Sequence, residues 1–140
     1  MTEPAIVDAG PLVAFFRKDD SHHAWAVEAL RNLRGPLVTC EPVLAETMHL
    51  LRAWPPARDA ILAWIGNGTL AIEFDLAQDC AAVRRLMKKY RDQPMSLADA
   101  CLVRMAETFD DHVVCTLDDD FRVYRRDGGA AIRLLIPDKA

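Results

Sequence analysis

A short apolar run that ends in a cluster of acids constrains the fold of this chain more than any other segment. Residues 112–115 (HVVC) are typical of a buried strand. Residues 116–120 (TLDDD) follow at once and place three carboxylates just beyond the end of that strand. Where strands and helices alternate, the carboxyl ends of the strands form the edge at which α/β proteins bind their ligands. We therefore expect the acids to lie at a ligand-binding edge.

The helix before this strand carries another carboxylate in its first turn. Pro94 ends the preceding segment, Ser96 is a good N-cap, and Asp99 stands three residues later. One interpretation is a capping box, in which the Asp99 carboxylate only accepts a backbone N–H. The other interpretation places Asp99 in the same acidic site as the 116–120 run.

The rest of the chain alternates short apolar strands with helices. Strands are predicted at residues 5–7, 37–39, 70–74, 112–115 and 131–136. Helices are predicted from Pro11, at about 21–32, from Glu41 towards Trp54, at about 57–65, at about 76–90 and from Ser96, with a short helical turn at 121–124. Apolar strands without alternation are typical of a parallel sheet covered on both faces. We predict a three-layer α/β/α domain with a mostly parallel central sheet, and a single domain over residues 1–140.

Four carboxylates can be assigned to the same region of this predicted fold. Asp8 follows the first strand, Glu46 lies on the third helix, Asp99 begins the sixth helix, and Asp118 follows the fourth strand. Each acid also has a plainer interpretation as a helix cap, a solvated helix residue or part of a solvated acidic run. Those interpretations require independent coincidences, whereas one shared site explains all four acids.

Several carboxylates in one cleft cannot all stay ionised, because like charges raise one another's pKa and burial adds to the cost. A divalent cation resolves this conflict, and an all-oxygen donor set favours Mg²⁺ or Mn²⁺ over zinc. Such an ion lowers the pKa of a bound water and neutralises charge that builds on a phosphodiester during hydrolysis. No Ser/His/Asp triad is indicated, since the histidines lie away from the acid-bearing turns: His22, His23, His49 and His112.

Composition limits the remaining classes of protein. The content of 51% hydrophobic and 27% charged residues indicates a folded globular chain. No apolar run approaches the roughly 18 residues of a membrane helix, and the chain opens without a leader-like segment, so we expect a cytoplasmic protein without a membrane partner. The cysteines are widely spaced and are expected to be reduced thiols in or beside the core rather than zinc ligands: Cys40, Cys80, Cys101 and Cys115.

Four segments, taken in order, resemble the PIN-domain family of ribonucleases, and most closely the VapC-type toxins of bacterial toxin–antitoxin systems. They are IVDAGPLVAFF with Asp8, EPVLAETMHLL with Glu46, SLADACLVRMA with Asp99, and VVCTLDDDFRVY with Thr116 and Asp118. The resemblance covers nearly the whole chain. One departure is that the family often has Ser or Thr directly after its first aspartate, where this chain has Ala9 and Gly10.

The resemblance implies an endoribonuclease that depends on Mg²⁺ or Mn²⁺ and acts as the toxin of a type II toxin–antitoxin pair. It assigns catalysis and metal binding to four acids, with a candidate fifth ligand, and a supporting hydroxyl: Asp8, Glu46, Asp99 and Asp118, then Asp120, and Thr116. It also implies an RNA substrate, a homodimer, and a small antitoxin whose tail lies across the site. The apolar first helix and Trp25 are expected to form part of the dimer or antitoxin surface.

An acidic chain must hold RNA by local rather than overall charge. The net charge is −4, so bulk electrostatics do not indicate a nucleic-acid binder. Nine basic residues are candidates to flank the cleft: Arg84, Arg85, Lys88, Lys89, Arg91, Arg104, Arg122, Arg125 and Arg126. For Lys88 and Lys89 the plainer interpretation is a solvated helix face.

Other functions fit the sequence less well or remain open. A phosphoryl-acceptor domain is disfavoured because no second acid stands beside Asp8, and a haloacid-dehalogenase-type phosphatase because Asp8-Ala9-Gly10 is not D-x-D. Two alternatives stay open: a catalytically silent interaction module with the same fold, and a housekeeping nuclease without an antitoxin.

Overall fold

The computed structural model describes residues 3–138. The strands are β1 (Ala5–Val7), β2 (Leu37–Thr39), β3 (Leu70–Ile72), β4 (Val113–Cys115), β5 (Arg125–Arg126), β6 (Ala130–Ala131) and β7 (Leu134–Leu135). The helices are α1 (Ala9–Phe16), α2 (His23–Arg31), α3 (Glu41–Leu50), α4 (Pro55–Gly66), α5 (Cys80–Lys89) and α6 (Leu97–Thr108), and a 3-10 turn covers Asp119–Arg122. None of these helices is long and apolar enough to cross a membrane.

The central sheet has the strand order β3-β2-β1-β4-β7, and every neighbouring pair is parallel. All residues of β1, β2 and β4 are buried, which explains why these strands are apolar without alternation. β3 is an edge strand, and its last residue, Ile72, is 38% exposed. With helices flanking this sheet, the predicted three-layer α/β/α architecture with a parallel sheet is confirmed.

Helix α6 supplies the most buried helical surface in the described part of the chain. Its buried residues are Ala98, Asp99, Ala100, Cys101, Leu102, Val103, Met105 and Ala106. Phe121, in the 3-10 turn, and Tyr124, two residues beyond it, are fully buried in the core. Asp99 is the one charged residue in this buried series, so the fold holds a carboxylate inside apolar packing.

The register between β1 and β4 aligns the residues that follow the two strands. Ala5 pairs with Val113 and Val7 with Cys115. The Asp8 N–H then donates to the Cys115 carbonyl oxygen at 2.9 Å. Asp8 and Thr116 are therefore brought side by side at the carboxyl edge of the sheet.

Two helices begin earlier than predicted because their first residues are good helix starts. α1 begins at Ala9 rather than Pro11, since the Asp8 carboxylate caps it by accepting the Ala9 N–H at 2.7 Å. Pro11 is its third residue, where a missing N–H costs no helical bond. α4 begins at Pro55 rather than near residue 57, because proline is well suited to the first helical position.

Helix α5 begins later than predicted, at Cys80 rather than near residue 76. The Asp75 carboxylate accepts the N–H groups of Ala77 and Gln78, at 3.0 and 3.3 Å, and so holds residues 76–79 in turns instead of a helix. Cys80 is consequently exposed, which contradicts its predicted place in the core. The other three cysteines are buried as predicted, and all four are free thiols.

The prediction of one final strand over residues 131–136 is wrong. Asp127 and Gly128 adopt positive φ angles of 52° and 82°, which reverse the chain and pair β6 with β5 in a separate antiparallel hairpin. Only β7 returns to the central sheet, where Leu134 pairs with Val114.

Candidate active site

The fold brings the predicted acids to one edge of the sheet from four directions. Asp8 follows β1, Asp118 lies two residues beyond Thr116 after β4, Asp99 stands in the first turn of α6, and Glu46 projects from α3. This edge lies at the carboxyl ends of the parallel strands, the usual ligand edge of such sheets. We call the five carboxylates of Asp8, Glu46, Asp99, Asp118 and Asp120 the acidic site.

Asp8 is a buried carboxylate with a protein donor on each oxygen. Its side chain is 7% exposed; Oδ1 accepts the Ala9 N–H and Oδ2 accepts the Thr116 hydroxyl, both at 2.7 Å. Burial raises the pKa of Asp8 to about 6; the hydrogen bonds from Thr116 and Ala9 oppose this shift, and the charges of Asp99 and Glu46 add to it. An ionised Asp8 is therefore costly unless positive charge is near.

Thr116 ties the loop after β4 to Asp8. Its hydroxyl donates its only proton to Asp8 and accepts the N–H of Asp118 at 3.0 Å. The Asp118 carboxylate in turn accepts the Asp120 N–H at 2.8 Å and caps the 3-10 turn. One buried hydroxyl thus sets the positions of two acids relative to each other.

Asp99 completes a capping box and also faces the other acids. Ser96 Oγ accepts the Asp99 N–H at 3.0 Å, and Asp99 Oδ2 accepts the Ser96 N–H at 3.2 Å. Tyr124 donates its hydroxyl to the same Oδ2 at 3.2 Å. Burial raises the pKa of Asp99, and the charge of Asp118 adds to this rise against hydrogen bonds from Ser96 and Tyr124. The two interpretations of Asp99 are therefore compatible.

Glu46 and Asp120 lie at the more open side of the acidic site. Burial raises the pKa of Glu46, and the charges of Asp99 and Asp118 add to the rise. Burial also raises the pKa of Asp120, again with contributions from Asp118 and Asp99. The shared influence of Asp99 and Asp118 shows that these side chains lie within electrostatic reach of one another.

The acids share this edge of the sheet, but their side chains do not form a complete set of metal ligands. Among residues 3–138, no three His, Cys, Asp or Glu side chains are close enough together to enclose an ion. The donor set nevertheless suits a hard divalent cation, because every candidate ligand is a carboxylate oxygen and several have raised pKa values. Cys115, behind Asp8, does not compete as a ligand, because burial and the Asp8 charge raise the pKa of its thiol to about 12.

Two contributors to the site were not predicted from the sequence. Tyr124 was assigned only to a helical turn, and no spacing rule connects it to Asp99, which lies 25 residues earlier. Gly10 permits the first turn of α1 to approach the loop after β4, since a Cβ at this position would lie 3.2 Å from Leu117. That close approach accounts for a small residue beside Asp8.

The raised pKa of Asp8 predicts how the stability of the metal-free protein depends on pH. Because the folded state holds this proton more tightly than the unfolded chain, stability falls as pH rises from the ordinary value of 3.8 through about 6. Between pH 5 and pH 7 the loss should be about 1 kcal/mol. Urea unfolding in EDTA at both pH values measures it.

The comparison is made with Asp8→Asn, which cannot titrate at this position, and with Asp59→Asn, which removes an exposed carboxylate on α4. Asp8→Asn should lose this part of the pH dependence, whereas Asp59→Asn should keep it. Equal pH dependence in the parent and in Asp8→Asn would show that Asp8 is not the group responsible.

Comparison with known proteins identifies the family. The PIN domain profile matches residues 5–127, which leaves β6 and β7 outside the match. Ribonuclease VapC26 of Mycobacterium tuberculosis (strain ATCC 25618 / H37Rv) is 28% identical over 133 residues, which cover 93% of this chain and 98% of VapC26. The crystal structure of Mycobacterium tuberculosis VapC20, a Sarcin-Ricin loop cleaving toxin, matches with a TM-score of 0.72 at 19% identity, covering 85% of this chain and 93% of that one. The chain belongs to the PIN-domain family.

Proposed function

We propose that this protein is a metal-dependent endoribonuclease and the toxin of a type II toxin–antitoxin pair. The observation that carries the proposal is the convergence of buried or mutually repelling acids at the carboxyl edge of the sheet. Similarity to Ribonuclease VapC26 over nearly the full length of both chains supports a ribonuclease over a silent module. We expect Mg²⁺ or Mn²⁺ as the cofactor.

In this proposal Asp8, Glu46, Asp99 and Asp118 hold the cation, with Asp120 as a candidate fifth ligand. When bound, the ion supplies an activated water and neutralises charge on the phosphodiester. The chain's own residues do the positioning: Thr116 fixes Asp8 and the Asp118 backbone, while Ser96 and Tyr124 fix one oxygen of Asp99. The preferred RNA is an exposed loop or single strand, since unstacked nucleotides are what proteins of this kind reach.

The antitoxin and dimer remain part of the proposal, and the structure narrows the surface available to them. The first helix is not an open apolar face, because Leu12 and Val13 are buried and Phe15 and Phe16 pack against Trp64 at 5.0 and 4.9 Å. We therefore place the proposed antitoxin or dimer surface at two grooves that contain Phe15 and Trp25. One, of about 410 Å³, includes Phe15, Leu30, Leu37 and Trp64, and the other, of about 280 Å³, includes Trp25, Leu33 and Leu135.

Replacing Asp99 with Asn tests the nuclease directly. The variant keeps the capping geometry but loses a charged ligand, so cleavage of an end-labelled structured RNA in Mg²⁺ or Mn²⁺ should fall by more than about 100-fold. Charge stabilisation by a metal is worth several kcal/mol, and about 1.4 kcal/mol is tenfold in rate. EDTA should abolish cleavage by the parent.

Asp119→Asn is the control, since it removes the same charge from the acidic run at 118–120, which lies beside the site. The Asp119 carboxylate pairs with Arg122 at 3.0 Å, and it is not assigned to the metal. Parent-like cleavage by Asp99→Asn would refute the site. If the parent cleaves nothing, a Mn²⁺-dependent rise in melting temperature separates a nuclease of narrow specificity from a silent module, which would show no rise.

Tyr124→Phe tests whether the phenol positions Asp99 for the cation. It removes one hydroxyl and keeps the ring that packs at 5.1 Å against Tyr90 and 5.3 Å against Phe121. Loss of such a supporting hydrogen bond typically weakens metal binding about 10- to 100-fold. Calorimetric titration with Mn²⁺ should show a dissociation constant at least about tenfold higher, while the free energy of unfolding without metal changes by only about 1 kcal/mol.

Tyr90→Phe is the control for that measurement. It belongs to the same ring pair, but its oxygen accepts the Arg125 N–H at 2.8 Å and does not contact an acid. Its affinity for Mn²⁺ should equal that of the parent. Equal weakening in both variants would assign the effect to ring packing rather than to the Asp99 hydrogen bond.

A further inference from the structure

A charged groove of about 310 Å³ lies between α5, α6 and the β5–β6 hairpin, outside the acidic site. Four basic and two acidic side chains line it: Arg85, Lys89, Arg104, Arg125, Glu107 and Asp127. We call it the basic groove. Its charged lining carries two more positive than negative charges, in a chain whose net charge is −4.

The acids of the basic groove are already engaged. Glu107 accepts from Arg104 at 3.3 Å through Oε1 and from the Asp127 N–H at 2.7 Å through Oε2. The Asp127 carboxylate lies 3.8 Å from the Arg126 guanidinium. These contacts leave the positive charge of the other lining residues uncompensated.

Within the described part of the chain, the remaining cations of the groove form no ion pair with a carboxylate. Arg125 is held in place by the carbonyl oxygens of residues 122, 123 and 124, at 2.7, 3.2 and 3.0 Å, which orient its guanidinium without neutralising it. Among residues 3–138, no carboxylate forms an ion pair with Arg85 or Lys89. Arginine forks and lysine ammonium groups in such a setting suit phosphate oxygens.

A continuous set of contacts connects the basic groove to the acidic site. Lys89 Nζ lies 5.3 Å from the centre of the Tyr90 ring, and Tyr90 packs edge-on against Tyr124 at 5.1 Å. Tyr124 then donates to Asp99 at 3.2 Å. Asp99 and Arg104 are five residues apart on α6, about 7.5 Å along its axis and about 140° around it, so a strand that reaches both must pass partly around the helix.

We propose that the basic groove binds backbone phosphates of the RNA a few nucleotides from the bond that is cut. The proposal rests on the proposed function, because it assigns the groove to the same substrate. RNA is favoured over an acidic protein segment because a polyanionic strand is already the proposed substrate of the acidic site, and the groove shares helix α6 with Asp99. The groove supplies affinity for RNA phosphates, which the carboxylates of the acidic site repel.

Helix α5 provides a matched control for this proposal. Arg85 and Lys89 form one i,i+4 row and line the groove, whereas Arg84 and Lys88 form the adjacent row, are exposed and lie outside the groove. The groove variant combines Arg85→Gln with Lys89→Gln, and the control variant combines Arg84→Gln with Lys88→Gln. Both double variants remove the same charge from the same helix. A difference between the two double variants therefore measures location rather than net charge.

The experiment measures binding of a fluorescently labelled single-stranded oligoribonucleotide in Mg²⁺ over a range of salt concentrations. Asp99→Asn is present in all three proteins, so that the RNA stays intact. The groove variant should bind roughly tenfold more weakly at moderate salt, and the slope of log K against log salt should shrink by about 1.4, or about 0.7 for each lost phosphate contact. The control variant should keep the affinity and slope of its parent.

Equal weakening in both double variants, or no weakening in the groove variant, would overturn the proposal, as would failure of the parent to bind RNA. If the groove variant binds RNA as tightly as its parent, an acidic protein segment becomes the remaining candidate for the groove. RNA cleavage is measured separately with the chain that retains Asp99. A failure of the proposed nuclease activity can then be distinguished from a failure of RNA binding. RNA binding that depends on the groove, without any cleavage, would support RNA binding by the groove and refute the proposed nuclease activity.

Discussion

The hydrogen bond from Thr116 to Asp8, at 2.7 Å between residues 108 positions apart, is the interaction on which the site depends. It exists because β1 and β4 pair in parallel with Val7 opposite Cys115, which sets the residues after each strand side by side. A shift of one residue in this register would turn the side chains of one strand to the opposite face of the sheet. The buried strands therefore determine which polar groups meet, although they contain no acid themselves.

The acidic site is built at a cost in stability that the local structure partly offsets. Asp8 caps α1 and Asp99 closes the capping box of α6, so both carboxylates lie at helix N-termini, where the helix dipole and free N–H groups favour negative charge. Their pKa values are raised nonetheless, because burial outweighs the hydrogen bonds. Capping and acid convergence are thus not competing explanations. The N–H groups at the start of each helix reduce the free-energy cost of holding these carboxylates ionised.

Local signals in the sequence predicted most of the framework, and long-range contacts account for what they missed. Short apolar runs revealed β1, β2 and β4, and Ser96 with Asp99 revealed the start of α6, because each signal lies within a few residues. The late start of α5 depends on an Asp75 side chain that competes for backbone N–H groups. Tyr124 and the basic groove require elements far apart in the chain to meet, which no periodicity reports. The four acids were predicted together from their places after strands and on helices of the predicted fold, and the order of the motifs then resembled a family. The spacing of each acid alone did not distinguish it from an ordinary cap or a solvated acid.

In the proposed function, the separation of charge lets one small acidic chain bind a polyanionic substrate. In this proposal, acids converge where hydrolysis requires a cation, and the basic groove lies farther along the same helix, α6, so attraction and chemistry are separated. Phosphate contacts of this kind fix the register of a strand but carry no sequence information. Discrimination between RNAs must then arise from the shape that lets a loop reach Asp8 and Asp99, both more than nine-tenths buried. A duplex cannot present its backbone to two buried carboxylates as easily as an unstacked loop can. Under the proposed function we therefore expect access to the acidic site, rather than base reading in the groove, to select the substrate.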